Sequence, residues 1–409
     1  MHPRVEEALD AFRVVVLHGA RQCGKTTLAQ RIAQDRGGAY VSLDDDATRL
    51  AALDDPRSFL ISQPVPLIVD EVQLGGDRLV RAIKQIVDDN PVPGQFLLTG
   101  STDFLTVPVI SESLAGRARV LRLWPLSEAE LADVQLPGMS RWFSDSPGGV
   151  PQESLPRRGY MDRLCRGGYP EAVGMNPDQR GGWFESYVET VVRRDVVELG
   201  DIRRASVLTD LLSWVATVTG TELNIEDASR KLGIDRATFQ TYLAWMETVF
   251  LVQTLPAWSR KLSSRVVRRP KVYMTDTGLA ANLLGVNPDA LKSPTSPALG
   301  PLVETFVVNE IARQVASEGA RLRMHHFRNF NGREIDLVLE QPDGGMIGVE
   351  IKATSSPSER HIGSLRWLRD QIDGVAPGTF RAGLLLHTGN QFLPVGDRLQ
   401  MAPISTLWS

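Results

Sequence analysis

Eight residues, GARQCGKT from Gly19 to Thr26, carry the spacing G-x-x-x-x-G-K-[ST]. Glycines at this spacing let backbone N–H groups turn inward onto phosphate oxygens. The lysine then faces the β- and γ-phosphates, and the hydroxyl is placed to hold Mg²⁺. The expected nucleotide contacts are Gly19, Ala20, Arg21, Gln22, Cys23, Gly24, Lys25, Thr26 and Thr27. The implied ligands are a nucleoside triphosphate, ATP, and Mg²⁺. Further on, PLIVDEVQ runs an apolar stretch into Asp70 and Glu71. Asp70 is expected in the Mg²⁺ shell, and Glu71 is expected to polarise the attacking water. QFLLTGST ends on Thr99, Gly100, Ser101 and Thr102. A hydroxyl there, on Thr99 or Ser101, is placed to sense the γ-phosphate from a neighbouring strand.

A second constellation lies near the C-terminus. HFRNFNGREIDLVLE carries Asp336, QPDGG reads as a turn, and MIGVEIKAT carries Glu350 and Lys352. Side chains alternate along a strand, so Glu350 and Lys352 share one face while Ile351 packs the other way. Asp336 across the hairpin completes a carboxylate pair suited to Mg²⁺, with Lys352 beside an attacking water. The preceding LVETFVVNEIARQV reads as an amphipathic helix bearing Glu304 and Glu310. His361 reads as a surface histidine. Between these constellations, Arg260, Lys261, Arg265, Arg268, Arg269 and Lys271 lie together with no acidic residue among them. Such a run suits a phosphate backbone, and it is the expected nucleic-acid contact.

The elements needed to position these residues follow from pattern. RVVVLH, residues 13–18, is a β-branched apolar run that reads as a buried parallel strand. TLAQRIAQ reads as a helix, so the glycine loop sits between strand and helix, with the helix N-terminus favouring anions. Residues 137–159 are rich in Pro, Gly and Ser and read as a loop. Helices are expected from about Trp183 to Val197 and across Ser206–Thr217. NIEDASRKLG and IDRATFQTYLAWMETVFLV read as two helices with Asn224 and Asp235 as N-caps and Gly233 ending the first. Leu243, Met246, Phe250 and Leu251 make a buried stripe.

The order of glycine loop, acidic strand, polar strand end and LAGRARVLRLWPLS resembles AAA+ ATPases. That resemblance implies that Arg117, with Arg119 as competitor, reaches the ATP of a neighbouring subunit. The phrases GARQCGKTTL, VSLDD, LIVDEVQ, LLTGS, LAGR, WPLS, GGYPEAV, RRDV, KVYMTDTGLA and LVETFVVNEI are similar to a bacterial and archaeal family. Its members join an AAA-type ATPase domain to a C-terminal domain of unknown function. The two helices with the β-rich segment after them resemble a winged helix-turn-helix. The Asp336, Glu350 and Lys352 set resembles the PD-(D/E)xK nuclease core, in which Glu304 matches a helical acidic position. Asp336, Glu350 and Lys352 with Glu71 and Arg117 are thus the expected catalytic set, and Thr26, Asp70, Glu304, Asp336 and Glu350 the expected metal ligands.

The expected fold class is α/β. A P-loop NTPase parallel-sheet domain spans 1–130, and an insert loop and helical lid span 131–200. A winged helix-turn-helix covers 201–292, and an α/β restriction-endonuclease-like domain covers 293–409. The 409 residues exceed what one core supports. A net charge of -4 excludes a global basic field, so any nucleic-acid contact must be local. There is no apolar run long enough to span a bilayer, so no membrane partner is expected. Two cysteines without an export signal point to the cytoplasm. The expectation is an ATP-hydrolysing AAA-type protein, a homo-oligomer if Arg117 serves a neighbour's site, that engages DNA with a metal-dependent nuclease-like tail. The alternatives are a switch whose inactive tail docks a protein, and a ring-shaped remodelling motor, for which no pore loop is visible.

Overall fold

The computed structural model describes residues 1–101, 114–134, 139–143, 155–192, 205–259, 265, 268–293, 295–319 and 321–409. Thr102, Arg260, Lys261, the segment 193–197 and most of the 137–159 loop therefore lie outside the described residues. The chain forms two compact units. One is Met1–Pro125 with Thr248–Phe250; the other is Leu126–Glu247 with Leu251–Ser409.

The first unit is built on five strands: β1 (Val14–His18), β2 (Ala39–Ser42), β3 (Leu67–Asp70), β4 (Phe96–Gly100) and β5 (Ala118–Arg122). They lie in the order β2-β3-β4-β1-β5, every pairing parallel. β1, β3 and β4 are buried along their whole length, which is why they read as unbroken apolar runs rather than alternating ones. The helices Lys25–Arg36 and Gly76–Asp89 pack beside this sheet, and the second buries Leu79, Val80, Ile83 and Val87. The sheet's order places β4 between the strand leading into the glycine loop and the strand ending in Asp70. The C-terminal ends of all three therefore open at one edge, where ligands bind in open parallel sheets.

In the second unit, the helix Ala205–Thr217 leads to a short strand β6 (Thr221–Glu222), then helices Ile225–Leu232 and Arg236–Thr248, then β7 (Val252–Leu255) and β8 (Lys271–Met274). Asn224 caps Asp227 N at 3.3 Å, Asp235 caps Thr238 N at 3.0 Å, and Gly233 closes the first helix at φ +65°. The strands form an antiparallel sheet ordered β6-β8-β7. A six-stranded sheet follows: β9 (Arg323–Arg328), β10 (Glu334–Glu340), β11 (Met346–Lys352), β12 (Phe380–His387), β13 (Leu393–Pro394) and β14 (Leu399–Pro403). Its order is β13-β14-β12-β11-β10-β9, antiparallel at β9, β10 and β11 and parallel from β11 through β12 to β14. Helix Gly363–Asp373 seals one face with Leu365, Leu368 and Ile372 against Ile335, Val338 and Leu385. The two sheets are joined where Trp258 N donates to His326 O at 2.6 Å and His326 N donates to Pro256 O at 3.0 Å.

One element differs from its sequence reading. Leu299–Glu318 was expected to be amphipathic, yet every residue from Leu302 to Gln314 except Glu304 is buried. Its polar residues are paired inside: Glu310 with Arg313 at 2.6 Å, and Asn309 with the Met274 carbonyl at 3.0 Å. The helix is enclosed rather than half-solvated, because paired polar groups satisfy the demand that would otherwise draw that face to water.

Candidate functional site

The glycine loop is shaped by steric necessity at two points. A Cβ on Gly19 would lie 2.2 Å from the Leu123 carbonyl oxygen, so only hydrogen fits there. Gly24 takes φ +99°, a conformation L side chains rarely adopt. The helix Lys25–Arg36 starts at once, leaving its first N–H groups free to face the loop. Lys25 is 5% exposed, and its ammonium donates to the carbonyls of Gly19 at 2.9 Å and Ala20 at 2.7 Å. It is thus held inside the loop, over the space that the glycines keep open. Cys23 is buried, and burial raises its thiol pKa, so it acts as a packed thiol.

Asp70 is the meeting point of three hydroxyls. Thr26 Oγ1 donates to Oδ2 at 2.9 Å, Tyr40 Oη donates to Oδ2 at 2.6 Å, and Thr99 Oγ1 donates to Oδ1. Thr26 and Asp70 are hard oxygen donors brought together from residues 44 apart in sequence. That donor set fits Mg²⁺, which takes few protein oxygens and keeps the rest of its shell for water and phosphate. The structure brings Thr99 onto Asp70 and also places its hydroxyl 3.4 Å from Glu71 N. Glu71 has φ +52°, which turns it out of the strand direction. Its carboxylate accepts from Ser101 N at 3.2 Å and from the Gln73 amide. Tyr40 and Gln73 were not singled out in the sequence. Gln73 stands two residues beyond Glu71 and was open to inspection; Tyr40 gave no local signal, since it reaches Asp70 only through strand pairing. Burial first, then the Asp70 carboxylate, hold the Tyr40 hydroxyl protonated well above its ordinary range. Arg117 is engaged within its own chain: Nε donates to Asp88 Oδ1 at 2.6 Å and Nη2 to Oδ2 at 2.8 Å.

The second cluster lies in the other unit. Asp336 and Glu350 each fall one residue past the Leu337–Val349 pair of the β10–β11 hairpin. Their carboxylates converge on Lys352 Nζ, at 3.3 Å from Asp336 Oδ2 and 2.7 Å from Glu350 Oε2. Ile351 N also donates to Asp336 Oδ2 at 2.8 Å. Burial, and then repulsion from Asp336, push Glu350 up to about 8 against the pull of Lys352. Burial lowers Lys352, but Asp336 and Glu350 outweigh it and the net shift is upward. A cavity of about 440 Å³ opens here, walled by Gly220, Glu304, Arg328, Glu334, Asp336 and Lys352 among others.

Two expectations are corrected at this cavity. Lys271, read as part of a phosphate-binding run, is 1% exposed. Its ammonium sits 2.8 Å from Glu304 Oε1, 2.6 Å from Glu334 Oε1 and 3.8 Å from Asp336 Oδ1. A basic residue so enclosed by carboxylates has no route to a backbone phosphate. Glu304, read as a metal ligand, accepts from Lys271 and from Tyr273 Oη at 2.8 Å, and burial and Asp336 push it up to about 7. Among the described residues no three His, Cys, Asp or Glu groups are arranged to hold a metal ion. As it stands, ammonium groups hold one carboxylate oxygen each of Glu304 and Glu350 and both of Asp336.

The basic run is dispersed in a further respect. Arg265 makes a two-point ion pair with Glu340, at 2.7 and 2.8 Å, with its side chain only 10% exposed. It is therefore an internal tie and not a phosphate contact. Arg268 and Arg269 remain toward the surface. His361 is at the surface, as read, with Nδ1 accepting from Ser358 N at 3.0 Å. Among the described residues no helix is long and apolar enough to cross a membrane.

Comparison with known proteins divides the chain in three. Residues 11–132 match the model of the AAA domain, residues 157–290 a domain of unknown function (DUF8612), and residues 299–407 another (DUF4143). An uncharacterized protein of Mycobacterium tuberculosis and one of Mycobacterium bovis are each 30% identical over 359 residues, which covers 87% of this chain and 74% of theirs. Among solved structures, a Walker-type ATPase of Pyrococcus abyssi is 14% identical, covering 69% of this chain and 94% of that one at a TM-score of 0.41. AMPPCP-bound DnaA from Aquifex aeolicus is 14% identical, covering 60% and 86% at a TM-score of 0.29. Superpositions this loose add nothing to the reading of either site.

Proposed function

This chain belongs to the same family as those mycobacterial relatives and carries an AAA domain at residues 11–132, and from that premise we propose that it hydrolyses ATP and uses the cycle to engage nucleic acid, DNA foremost. The observation that carries the ATPase reading is the convergence of Thr26 and Asp70 beside an enclosed Lys25. On nucleotide binding, Lys25 exchanges the Gly19 and Ala20 carbonyls for phosphate oxygens, and the loop N–H groups take the remaining charge. Mg²⁺, when bound at Thr26 and Asp70, supplies charge neutralisation on the β- and γ-phosphates. Glu71, held by Ser101 N, orients water, and the Thr99 hydroxyl beside Asp70 senses the γ-phosphate. Expected results are that Lys25→Ala loses most ATP affinity, while Glu71→Gln binds ATP and loses turnover. Wild-type turnover in Glu71→Gln sinks this assignment.

The finer reading gives the second unit a winged helix-turn-helix and a PD-(D/E)xK nuclease-like fold. The element order helix–strand–helix–helix–strand–strand and the placement of Asp336, Glu350 and Lys352 on adjoining strands support it. Metal-dependent cleavage on this reading requires Lys271 and Lys352 to release their carboxylates. The second reading, an ATP-dependent switch whose tail only docks a partner, is favoured by those same lysine pairs. Purified protein with ATP and Mg²⁺ or Mn²⁺, tested on single-stranded, duplex and branched DNA and RNA beside Asp336→Ala and Lys352→Ala, separates them. Cleavage lost in both variants supports the nuclease. No cleavage, with no Mn²⁺ bound to the wild type at this cluster, gives the lead to the switch.

A further inference from the structure

The turn joining β9 to β10 ends on a benzene ring left almost wholly in solvent. Phe330 is 99% exposed, the largest value among the exposed large hydrophobics. Its position is built, since the turn beneath it is tied four ways. Gly332 N donates to Asn329 O at 3.2 Å, and Asn329 N donates to Arg333 O at 2.9 Å. The Asn329 side chain accepts from Asn331 N at 3.0 Å and from Arg333 N at 2.9 Å. Gly332 takes φ +78°, which the tight return of the chain requires. A ring left in water on a turn this well bonded is presented ready for a partner, with little ordering cost still to meet.

The surroundings state what that partner is made of. The sequence around the tip is RNFNGR, with a cation on either side and no acid between. The Arg268 guanidinium lies 5.8 Å from the Phe330 ring centre, and its Nη1 donates to the Arg328 carbonyl at 3.1 Å. Arg333 is exposed and lies over Trp367 at 5.3 Å. Arg328 pairs with Glu222 at 3.4 Å, a partly exposed contact that a phosphate can replace. A flat exposed ring beside one guanidinium, with Arg328 and Arg333 flanking it in the chain, matches a nucleobase with its flanking phosphates. The roots of the same hairpin, Arg328 and Glu334, form part of the wall of the cavity that holds Asp336 and Lys352.

We propose that Phe330 is a stacking finger for an unpaired base, with Arg268, Arg328 and Arg333 on the adjoining phosphates, so that the second unit prefers single-stranded or locally unpaired nucleic acid over continuous duplex. This rests on the reading that the chain engages nucleic acid. It places the recognition surface on the β9–β10 tip and Arg268, and not along the buried half of the basic run.

The test is fluorescence anisotropy of full-length protein with a labelled single strand and with the same sequence as duplex, across a salt series. Phe330→Ala is expected to weaken single-strand binding by about five- to 150-fold, the range that one base–aromatic stack is worth. Phe330→Trp is expected to keep it. Phe330→Ala should leave the salt slope unchanged, since it removes no phosphate contact, whereas Arg268→Gln should flatten the slope by about 0.7 per phosphate lost. The ring touches no core, so the melting temperature of Phe330→Ala should equal the wild type's and rules out misfolding as the cause. Unchanged single-strand affinity in Phe330→Ala, or an equal loss on duplex, overturns the finger while leaving nucleic-acid engagement standing. Failure of the wild type to bind any oligonucleotide overturns both.

Discussion

Lys271→Met is the most informative single change in the second unit, because methionine keeps an apolar stem of similar reach and removes the ammonium with its charge and its hydrogen-bond donors. The ammonium it deletes lies 2.8 Å from Glu304, 2.6 Å from Glu334 and 3.8 Å from Asp336, with its side chain 2% exposed. At an effective dielectric near 20, each contact of such length carries about 4–6 kcal/mol of gross attraction. Desolvating the ammonium consumes several kcal/mol of that, so the net loss is taken from broken buried pairs, about 3–5 kcal/mol. This is a large share of the roughly 5–15 kcal/mol by which a domain is stable. The sign of the pH dependence follows from Glu304. Its folded pKa, about 7, stands above the unfolded value of 4.5, so the folded state takes up protons and its stability falls as pH rises through 7. Without Lys271 the carboxylate is pushed higher still, and protonation relieves more of the loss. Urea titrations at pH 8 and pH 5.5 should therefore show the full penalty at the higher pH and a smaller one at the lower. Adding Glu304→Gln to Lys271→Met should restore part of the stability at pH 8. A Lys271→Met protein within about 1 kcal/mol of wild type at pH 8, well under the cost of a broken buried pair, would refute the view that this lysine neutralises the cluster.

Three more changes have defined outcomes. Gly19→Ala places a methyl 2.2 Å from the Leu123 carbonyl, so the loop must shift; ATP affinity should fall at least tenfold and stability by about 1–3 kcal/mol, read by nucleotide titration and thermal melting. Arg265→Ala leaves Glu340 without its two-point partner and should cost about 1.5–3 kcal/mol while nucleic-acid affinity stays put; a loss of affinity equal to that of Arg268→Gln would return Arg265 to the binding surface. If Arg117 serves a neighbouring subunit, it must leave Asp88, an exposed pairing that is cheap to open. Hydrolysis per chain should then rise with concentration, and a mixture of Arg117→Ala and Lys25→Ala chains should regain activity; full activity in a monomer excludes the role.

Some of this protein was determined by residues close together in the chain. The glycine loop between a buried strand and a helix, the Asp70–Glu71 strand end, the Asn224 and Asp235 caps and the alternation of Glu350, Ile351 and Lys352 all follow from forces that act within a turn or along one strand. Glycine's φ range, side-chain alternation and cap hydrogen bonds need no distant partner, so their signals survive in sequence alone. Which charge meets which was another matter. Tyr40 reaches Asp70 only through the β2–β3 pairing, and Lys271 reaches Glu304 and Glu334, and Arg265 reaches Glu340, only after elements distant in sequence have packed together. The run from Arg260 to Lys271 looks uniform as a string of like charges. The fold divides its described part into a buried counter-ion, an internal tie and two surface arginines. The helix Leu299–Glu318 was misread for a related reason: its polar residues mark a solvated face only if they lack internal partners, and Glu310 and Asn309 have them. Coulombic pairing and burial depend on position in space, and it was the placing of Lys271 among Glu304, Glu334 and Asp336 that turned a lysine of the basic run into the counter-ion of the carboxylate cluster.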